Sequence, residues 1–313
     1  MRWVVTGGAG FIGSHIVEAL AARGDEVVVV DDLFSGNVDN IRPFMGDGSV
    51  EFVRGSILDR PLMNSACSGA DGIFHQAAIA SVPRSVKDPL ATHEANATGS
   101  LCVLLAARDA GVGKVVQASS SSVYGDTPVL PKHEGMAPSP LSPYAASKLV
   151  AEEYASCFAS LYGLPTVSLR YFNVFGPRQD PKSDYAAVIP RFVSHCLRGD
   201  PPVIFGDGLQ TRDFTFVKDV VAANLLAMDA DATGVFNIAG GKRISVNDLA
   251  QAVMDATGVP GSPLYEPPRA GDIKDSLADI SRAKSAFGFT PAYTLADGLA
   301  ASIAWYREAL APR

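Results

Sequence analysis

The sequence lacks a long apolar run. Its first residues, MRWVV, lead directly into glycines, so no apolar segment of signal-peptide length stands there, and no stretch has the length of a membrane span. We therefore expect no association with a membrane and a cytoplasmic location.

Cysteine and histidine are scarce, and neither is clustered. The four cysteines, Cys67, Cys102, Cys157 and Cys196, lie far apart without a CxxC pair, which argues against a disulfide framework and fits a reducing compartment. The five histidines have none of the spacings typical of metal ligands. The sequence therefore predicts no metal site.

The chain is also short of positive charge. Lysine and arginine number 26 against 33 aspartates and glutamates, which gives a formal net charge of −7. Such a field repels nucleic acid, so we expect no nucleic-acid partner, and any anionic ligand must be held by locally placed cations. With 313 residues that are 47% hydrophobic, the chain can form one or two globular domains.

Short β-branched runs alternate with longer helical patterns. WVVTG, VVVVD, GIFHQAA and KVVQASSS have the character of strands, whereas SHIVEALAARG and EANATGSLCVLLAARDAG have that of helices. The two helical patterns end at Gly24 and Gly111, and glycine favours the left-handed conformation that follows many helices. The alternation predicts an α/β fold with a doubly wound parallel sheet.

Beyond residue 176 the composition changes. TVSLRYFNVFG predicts one more strand, after which proline and glycine become denser, and VFNIAG again has strand character. We therefore predict a main domain of residues 1–173 plus about 214–240. A smaller C-terminal lobe would comprise about 174–213 plus 241–313.

The first predicted strand runs into TGGAGFIGSH, in which glycine recurs with dinucleotide-binding spacing. Gly7, Gly10 and Gly13 satisfy GxxGxxG, and Asp31 ends the second strand about 20 residues further on. This arrangement is typical of a Rossmann-type domain, in which a diphosphate lies at the helix N-terminus and a carboxylate binds the adenosine ribose. Asp31 and Asp32 would repel a 2′-phosphate, so the predicted cofactor is NAD rather than NADP.

Five segments resemble one known family in both sequence and order. TGGAGFIGSH, HQAA, SSSSVYG, YAASK and LRYFNVFGPRQ occur as in extended short-chain dehydrogenases/reductases, over nearly the whole chain. HQAAIASVPRS, PLSPYAASK and AVIPRF are especially similar to nucleotide-sugar 4-epimerases that act on UDP-N-acetylhexosamines. The resemblance implies a UDP-sugar substrate, a homodimer, and Tyr144, Lys148 and Ser120 as catalytic residues.

The resemblance also implies two sets of binding residues. Those for the cofactor are Gly7, Gly10, Phe11, Ile12, Gly13, Asp31, Asp32, Ser56, Ile57, Gln76, Ala77, Ala78, Asn96, Ser119, Tyr144, Lys148 and Tyr171. Those for the substrate are Ser81, Val82, Ser120, Ser121, Ser122, Tyr144, Asn173, Val188, Val203, Phe205, Arg212, Arg269, Asp272 and Ser276. Ser56 departs from the family pattern, because many relatives carry there an acid that contacts adenine.

Tyr144 and Lys148 share one face of a helix. Lowering the pKa of a tyrosine from about 10 to about 7 requires about 4 kcal/mol, and an ammonium about 4.5 Å away supplies about 3.7 kcal/mol at an effective dielectric near 20. Together with a positive nicotinamide ring, Lys148 is expected to hold Tyr144 as a phenolate that takes a sugar hydroxyl proton. An isolated YxxxK would more often be a packed tyrosine beside a solvated lysine.

The serine run discriminates among reactions. Related dehydratases carry an Asp-Glu pair where this chain has Ser121 and Ser122, and related decarboxylases usually keep a glutamate at the second place. Without that acid, return of the hydride to a 4-ketosugar is what remains, which predicts 4-epimerisation. A 4,6-dehydratase, a UDP-glucuronate decarboxylase and a non-enzymatic NAD-sensing protein stay as alternatives. A purely structural role in the turn suits Ser119 and Ser121 better than Ser120.

Sugar choice is tied to one small residue. The resemblance aligns Ser276 with a gate residue that is bulky in relatives restricted to non-acetylated sugars. We therefore expect acceptance of UDP-GlcNAc and UDP-GalNAc, with UDP-glucose and UDP-galactose as further substrates. The alternative is a surface residue whose size does not matter. The apolar residues Val188, Val203 and Phe205 would line a uracil pocket or form core.

Overall fold

The computed structural model describes residues 1–46, 48–181, 187–268 and 274–310. The main sheet consists of β1 (Arg2–Thr6), β2 (Glu26–Asp31), β3 (Val50–Arg54), β4 (Gly72–His75), β5 (Lys114–Ser120), β6 (Thr166–Tyr171) and β11 (Gly234–Ile238). The six other strands are β7 (Val174–Phe175), β8 (Val203–Phe205), β9 (Thr211–Asp213), β10 (Thr215–Phe216), β12 (Arg243–Ser245) and β13 (Leu264–Glu266).

Eleven α-helices lie in the described ranges. They are α1 (Phe11–Ala22), α2 (Arg60–Cys67), α3 (Val82–Lys87), α4 (Pro89–His93), α5 (Gly99–Asp109), α6 (Pro143–Tyr162), α7 (Val188–Leu197), α8 (Val217–Asp229), α9 (Val246–Thr257), α10 (Ser281–Phe287) and α11 (Leu295–Ala309). A π-helical segment, Glu94–Thr98, joins α4 to α5, and 3₁₀ turns span Val38–Asn40, Arg42–Phe44 and Ser121–Tyr124.

The main sheet is parallel throughout and has the order β11-β6-β5-β4-β1-β2-β3. The strands β1, β2 and β4 are nearly continuous apolar runs because both faces of the sheet are covered there. Successive side chains alternate between the faces: Val5 and Val29 pack with α1 and α8, whereas Val4, Val28 and Ile73 pack with α2, α5 and α6. The predicted doubly wound fold is confirmed.

The strand order reverses between β1 and β4. Loops that follow these two strands therefore part from each other and leave a crevice at the carboxyl edge of the sheet, which is where ligands bind in folds of this kind. This crevice lies between the glycine-rich loop after β1 and the residues that follow β4.

Two segments differ from the prediction. TVSLRYFNVFG forms β6 and β7 rather than one strand, because Asn173 adopts φ +34° between them, a backbone region that asparagine tolerates better than most residues. The predicted helix from Glu94 begins as a π-helix and becomes α5 at Gly99. VFNIAG does return to the main sheet, where β11 pairs with β6.

The C-terminal part of the chain has its own apolar core. Helices α7, α9 and α11 meet there around Phe192, Leu249 and Tyr306, which are almost fully buried. Within the described ranges, none of the helices is both long and apolar enough to cross a membrane.

Candidate active site

The glycine-rich loop shapes the first cavity of the crevice. Gly7 has φ +67°, and a Cβ built there would lie 2.6 Å from the backbone nitrogen of Ala77. A Cβ at Gly13 would lie 2.2 Å from the carbonyl oxygen of Gly7. Any side chain at either position would displace backbone, so these glycines keep the loop closely packed and leave space above it for a ligand.

The N-terminus of α1 faces this cavity. Gly10 is its N-cap, and the first turn, all of it described, contains no acidic residue and no side chain that caps the free backbone N–H groups. These donors and the helix dipole favour an anion. The arrangement fits the diphosphate of a dinucleotide.

Asp31 ends β2 at the rim of the same cavity. Its Oδ2 accepts a hydrogen bond from the Ala9 nitrogen at 3.0 Å and its Oδ1 accepts one from the Leu33 nitrogen at 2.8 Å, which fixes the carboxylate. Burial raises the pKa of Asp31. The remaining lone pairs of this carboxylate suit ribose hydroxyls, and both Asp31 and Asp32 line the cavity, so a 2′-phosphate would meet two acids.

Tyr144 and Lys148 lie in the first two turns of α6. Ser142 caps the helix by accepting a hydrogen bond from the Ala145 nitrogen at 3.1 Å, and Pro143 occupies the first helical position. The ammonium of Lys148 donates to the carbonyl oxygen of Ala118 on β5 at 2.9 Å. Both catalytic candidates line the cavity that begins at the glycine-rich loop.

Burial shifts the pKa values of both groups of this pair. Burial raises the pKa of Tyr144, against a smaller lowering by its hydrogen bond with Ser120. Burial also lowers the pKa of Lys148 to about 8, although Glu152 opposes that shift. Burial therefore favours the neutral phenol, and the phenolate expected from Lys148 together with a positive nicotinamide ring stays a prediction.

The serines at the end of β5 have different hydrogen-bond partners. Ser120 caps the 3₁₀ turn, since its Oγ accepts hydrogen bonds from the Ser122 nitrogen at 3.2 Å and the Ser122 hydroxyl at 2.9 Å. The hydroxyl of Ser119 instead donates to the buried carboxylate of Glu152. Ser120 thus holds the turn and also contacts the phenol of Tyr144.

A second cavity lies on the C-terminal side of the crevice. Five of the residues predicted to bind substrate line it: Asn173, Val188, Val203, Phe205 and Arg212. The amide nitrogen of Asn173 donates to the Asp213 carbonyl oxygen at 2.9 Å, and a guanidinium nitrogen of Arg212 donates to the Thr211 carbonyl oxygen at 2.8 Å. Val188, Val203 and Phe205 are half-buried in the cavity wall, and Val188 also packs against the C-terminal core.

Other substrate predictions fall elsewhere. Ser81 caps α3, and Val82 is 42% exposed at the start of that helix. Ser276 is buried, and its backbone nitrogen donates to the carbonyl oxygen of Thr211 at 3.1 Å. Ser81, Val82, Ser276 and Ser120–Ser122 are not part of either cavity wall. Arg269 and Asp272 lie outside the described residues.

The chain is similar over its length to known proteins. Residues 3–239 match the NAD-dependent epimerase/dehydratase family. The chain is 42% identical to a UDP-glucose 4-epimerase of Mycolicibacterium smegmatis over 311 residues, 98% of this chain and 99% of that one. The chain belongs to the NAD-dependent epimerase/dehydratase family. This membership confirms the predicted superfamily and the NAD cofactor.

Solved structures agree with this family membership. A UDP-N-acetylglucosamine 4-epimerase from Methanobrevibacter ruminantium, in complex with UDP-N-acetylmuramic acid, has a TM-score of 0.95 and 41% identity, with 98% of each chain covered. A UDP-glucose 4-epimerase from Thermotoga maritima with UDP-glucose has a TM-score of 0.94 and 41% identity, with 99% of this chain and 100% of that one covered.

In this member of the epimerase/dehydratase family, every predicted cofactor residue except Asn96 lines the first cavity. Asn96 is 1% exposed and bonds the backbone nitrogen of Ile79 at 2.8 Å and its carbonyl oxygen at 3.2 Å, as well as the Ser147 hydroxyl at 3.0 Å. It therefore holds the loop after β4 in place. The predicted contact between Asn96 and the cofactor stays a prediction.

Replacing Asn96 with alanine is expected to lower the free energy of unfolding by about 1–3 kcal/mol, because both backbone groups of Ile79 lose their buried partner. NAD affinity should fall with it, since Ile79 lines the cofactor cavity. Urea denaturation and NAD titration measure the two effects. Thr98→Ala, an exposed change in the same π-helix, is the control, and equal results for both variants would contradict this role.

The sequence reasoning missed several lining residues. Those of the cofactor cavity are Val30, Phe34, Ser35, Gly55, Leu58, Ile79, Ala80, Ala91, Glu94, Ala95 and Ala118. In the second cavity, Arg191 stacks over the Phe205 ring at 4.9 Å, and Gln210 donates to the Phe205 carbonyl oxygen at 2.9 Å. Arg191 lies three residues after Val188 on α7, so helical periodicity was the signal that could have found it.

Proposed function

We propose that this protein interconverts the C4 epimers of a UDP-hexose, with Tyr144 as the proton acceptor, Lys148 as its electrostatic partner and Ser120 as the group that orients the C4 oxygen. The observation that carries the proposal is the meeting of Tyr144, Lys148 and the glycine-rich loop in one cavity. The predicted 4-epimerase activity agrees with the relatives, which are named as 4-epimerases of UDP-glucose and UDP-N-acetylglucosamine.

Each side chain has a separate task. NAD held in the first cavity would supply an acceptor and donor of hydride at C4 and would not be consumed overall. As a phenolate, Tyr144 takes the proton of the C4 hydroxyl as the 4-ketosugar forms and returns it afterwards. The positive charge of Lys148 stabilises the phenolate form of Tyr144, and the hydroxyl of Ser120 orients the C4 oxygen beside it.

The second cavity supports a UDP site. Arg212 supplies a guanidinium for the diphosphate, and Arg191, stacked on Phe205, places another in the same wall. Half-buried Val188 and Val203 offer an apolar surface for uracil. Because the overall charge of the chain is negative, these local cations provide the attraction that a dianionic linkage needs.

The absence of an acid at Ser121 and Ser122 predicts the products. Incubation with UDP-sugars should give C4 epimers alone, with unchanged mass, no net NADH and no accumulated ketosugar. Mass spectrometry and chromatography with UDP-glucose, UDP-galactose and their N-acetyl counterparts measure this. A product lighter by one water would favour the dehydratase, and loss of carbon dioxide from UDP-glucuronate would favour the decarboxylase.

NAD binding without turnover of any of these sugars would favour the non-enzymatic NAD sensor. The sensor hypothesis does not explain why a tyrosine, a lysine and a serine hydroxyl lie together beside the cofactor cavity. An epimerase needs all three, so the assay on the four sugars separates the two functions.

Three further properties belong to the same proposal. A homodimer is supported by exposed apolar side chains on one stripe of α6, Tyr154 and Leu161, which are 37% and 74% exposed.

A cytoplasmic location is supported by four free cysteines. The division into residues 1–173 plus about 214–240 and a smaller lobe is supported by the pairing of β11 with β6.

A further inference from the structure

A buried ion pair lies directly behind the proposed catalytic pair. Glu152 on α6 accepts two parallel hydrogen bonds from Arg170 on β6, at 2.9 Å from Nε and 2.7 Å from Nη2. Their side chains are 2% and 4% exposed. Burying two charges costs desolvation free energy. The bidentate contact with the guanidinium fixes the carboxylate in one orientation.

Glu152 is linked to the cofactor cavity through α6 and through Ser119. It lies four residues after Lys148 and eight after Tyr144, so the three side chains follow one face of α6. The Oε1 atom of Glu152 also accepts a hydrogen bond from the hydroxyl of Ser119, which lines the cavity and precedes Ser120. A single carboxylate thus connects the helix that carries the base with the strand end that carries the orienting hydroxyl.

Two titratable groups interact electrostatically with Lys148: His75 on β4 and Glu152 on α6. Tyr144 on α6, Tyr171 on β6 and Glu94 in the π-helix line the same cavity as Lys148. Burial and the nearby ammonium lower the pKa of His75 to about 3, so this imidazole is neutral. The burial of Lys148 disfavours its charge, and Glu152 is the group whose charge supports it.

We propose that Glu152 is a positioning residue, which holds Ser119 at the end of β5 and keeps Lys148 charged beside Tyr144 at neutral and mildly alkaline pH. Arg170 fixes the carboxylate for this task and stacks over the Tyr124 ring at 4.7 Å. The inference rests on the proposed catalytic role of Tyr144 and Lys148.

The test is the pH profile of kcat for Glu152→Gln. Glutamine keeps the shape and removes the negative charge that raises the pKa of Lys148, so the ammonium is lost at lower pH. The alkaline limb of the profile should therefore move down by about one pH unit, which lowers kcat about tenfold on that limb. KM should change less than kcat.

Glu153→Gln is the matched control, because it removes the same charge from an exposed position on the same helix. Its profile should coincide with that of the wild type. Glu152→Asp keeps the charge, so its alkaline limb should stay at the wild-type position even where kcat is lower. A uniform loss of kcat at all pH values in Glu152→Gln would show a merely structural role and overturn the proposal.

A second variant covers the case in which Glu152→Gln leaves Arg170 unpaired and does not fold. Glu152→Gln combined with Arg170→Met removes both charges, which buried ion pairs often tolerate, and its alkaline limb should also lie below that of the wild type. An unshifted alkaline limb would overturn the proposed role of Glu152 and leave the proposed function unaffected. Wild-type turnover in Tyr144→Phe would instead refute the proposed function on which it rests.

Discussion

Tyr144→Phe is expected to lower turnover at least about a hundredfold while NAD and UDP still bind. Phenylalanine keeps the ring packed at the start of α6 and deletes only the hydroxyl that exchanges a proton with the sugar. Steady-state kcat, NAD titration and UDP binding measured on the purified variant separate chemistry from binding.

Tyr154→Phe is the matched control, because Tyr154 lies on the same helix but is 37% exposed and away from the cofactor cavity. It should retain wild-type turnover. A Tyr144→Phe enzyme within a fewfold of the wild type would show that the phenol is not the base.

Ser276→Tyr is expected to abolish turnover of UDP-GlcNAc and UDP-GalNAc and to spare UDP-glucose and UDP-galactose. Ser276 is buried, and its backbone bonds Thr211, the residue before Arg212 in β9. A tyrosine there must displace its packed neighbours next to Arg212, which lines the second cavity. Overpacking a closely packed site costs about 1–3 kcal/mol, and an acetyl group would compete for the same space. The measurement is kcat/KM for all four sugars.

Ser281→Tyr, an exposed change at the start of α10, is the control and should leave all four values unchanged. Retained hexose turnover in Ser276→Tyr shows that the variant folds. Equal survival of both activities would mean that sugar choice is set elsewhere, and equal loss of both would mean that Ser276 supports the fold without selecting the sugar.

Local signals were enough for the cofactor site. Gly7 follows β1, Gly13 lies in the first turn of α1 and Asp31 ends β2. Parallel strands bring their carboxyl ends to one edge, so the spacing of these residues already implies their proximity. The same reasoning did not reveal β3, whose sequence VEFVR places charged residues between apolar ones and whose residues are mostly exposed or half-buried at the sheet edge. Edge strands carry a weaker apolar pattern than central ones.

Long-range contacts of polar residues were not visible in the sequence. Asn96 has the residue type of a ligand, but its partners at Ile79 and Ser147 are distant in sequence. Ser119 was read as a turn residue, although it bonds Glu152, 33 residues away. The sequence does not show whether a polar side chain forms its hydrogen bonds within the protein or with a ligand.

The sequence by itself determined the parallel sheet, the dinucleotide site and the spacing of Tyr144 and Lys148, because each depends on strand periodicity, glycine geometry or one helical turn. Only the tertiary structure decided how these groups ionise and what supports them. Burial raises the pKa of Tyr144 and lowers that of Lys148, and the pair of Glu152 and Arg170 forms where α6 packs on β6. Desolvation depends on all the atoms packed around a group, and those atoms come from segments far apart in the chain.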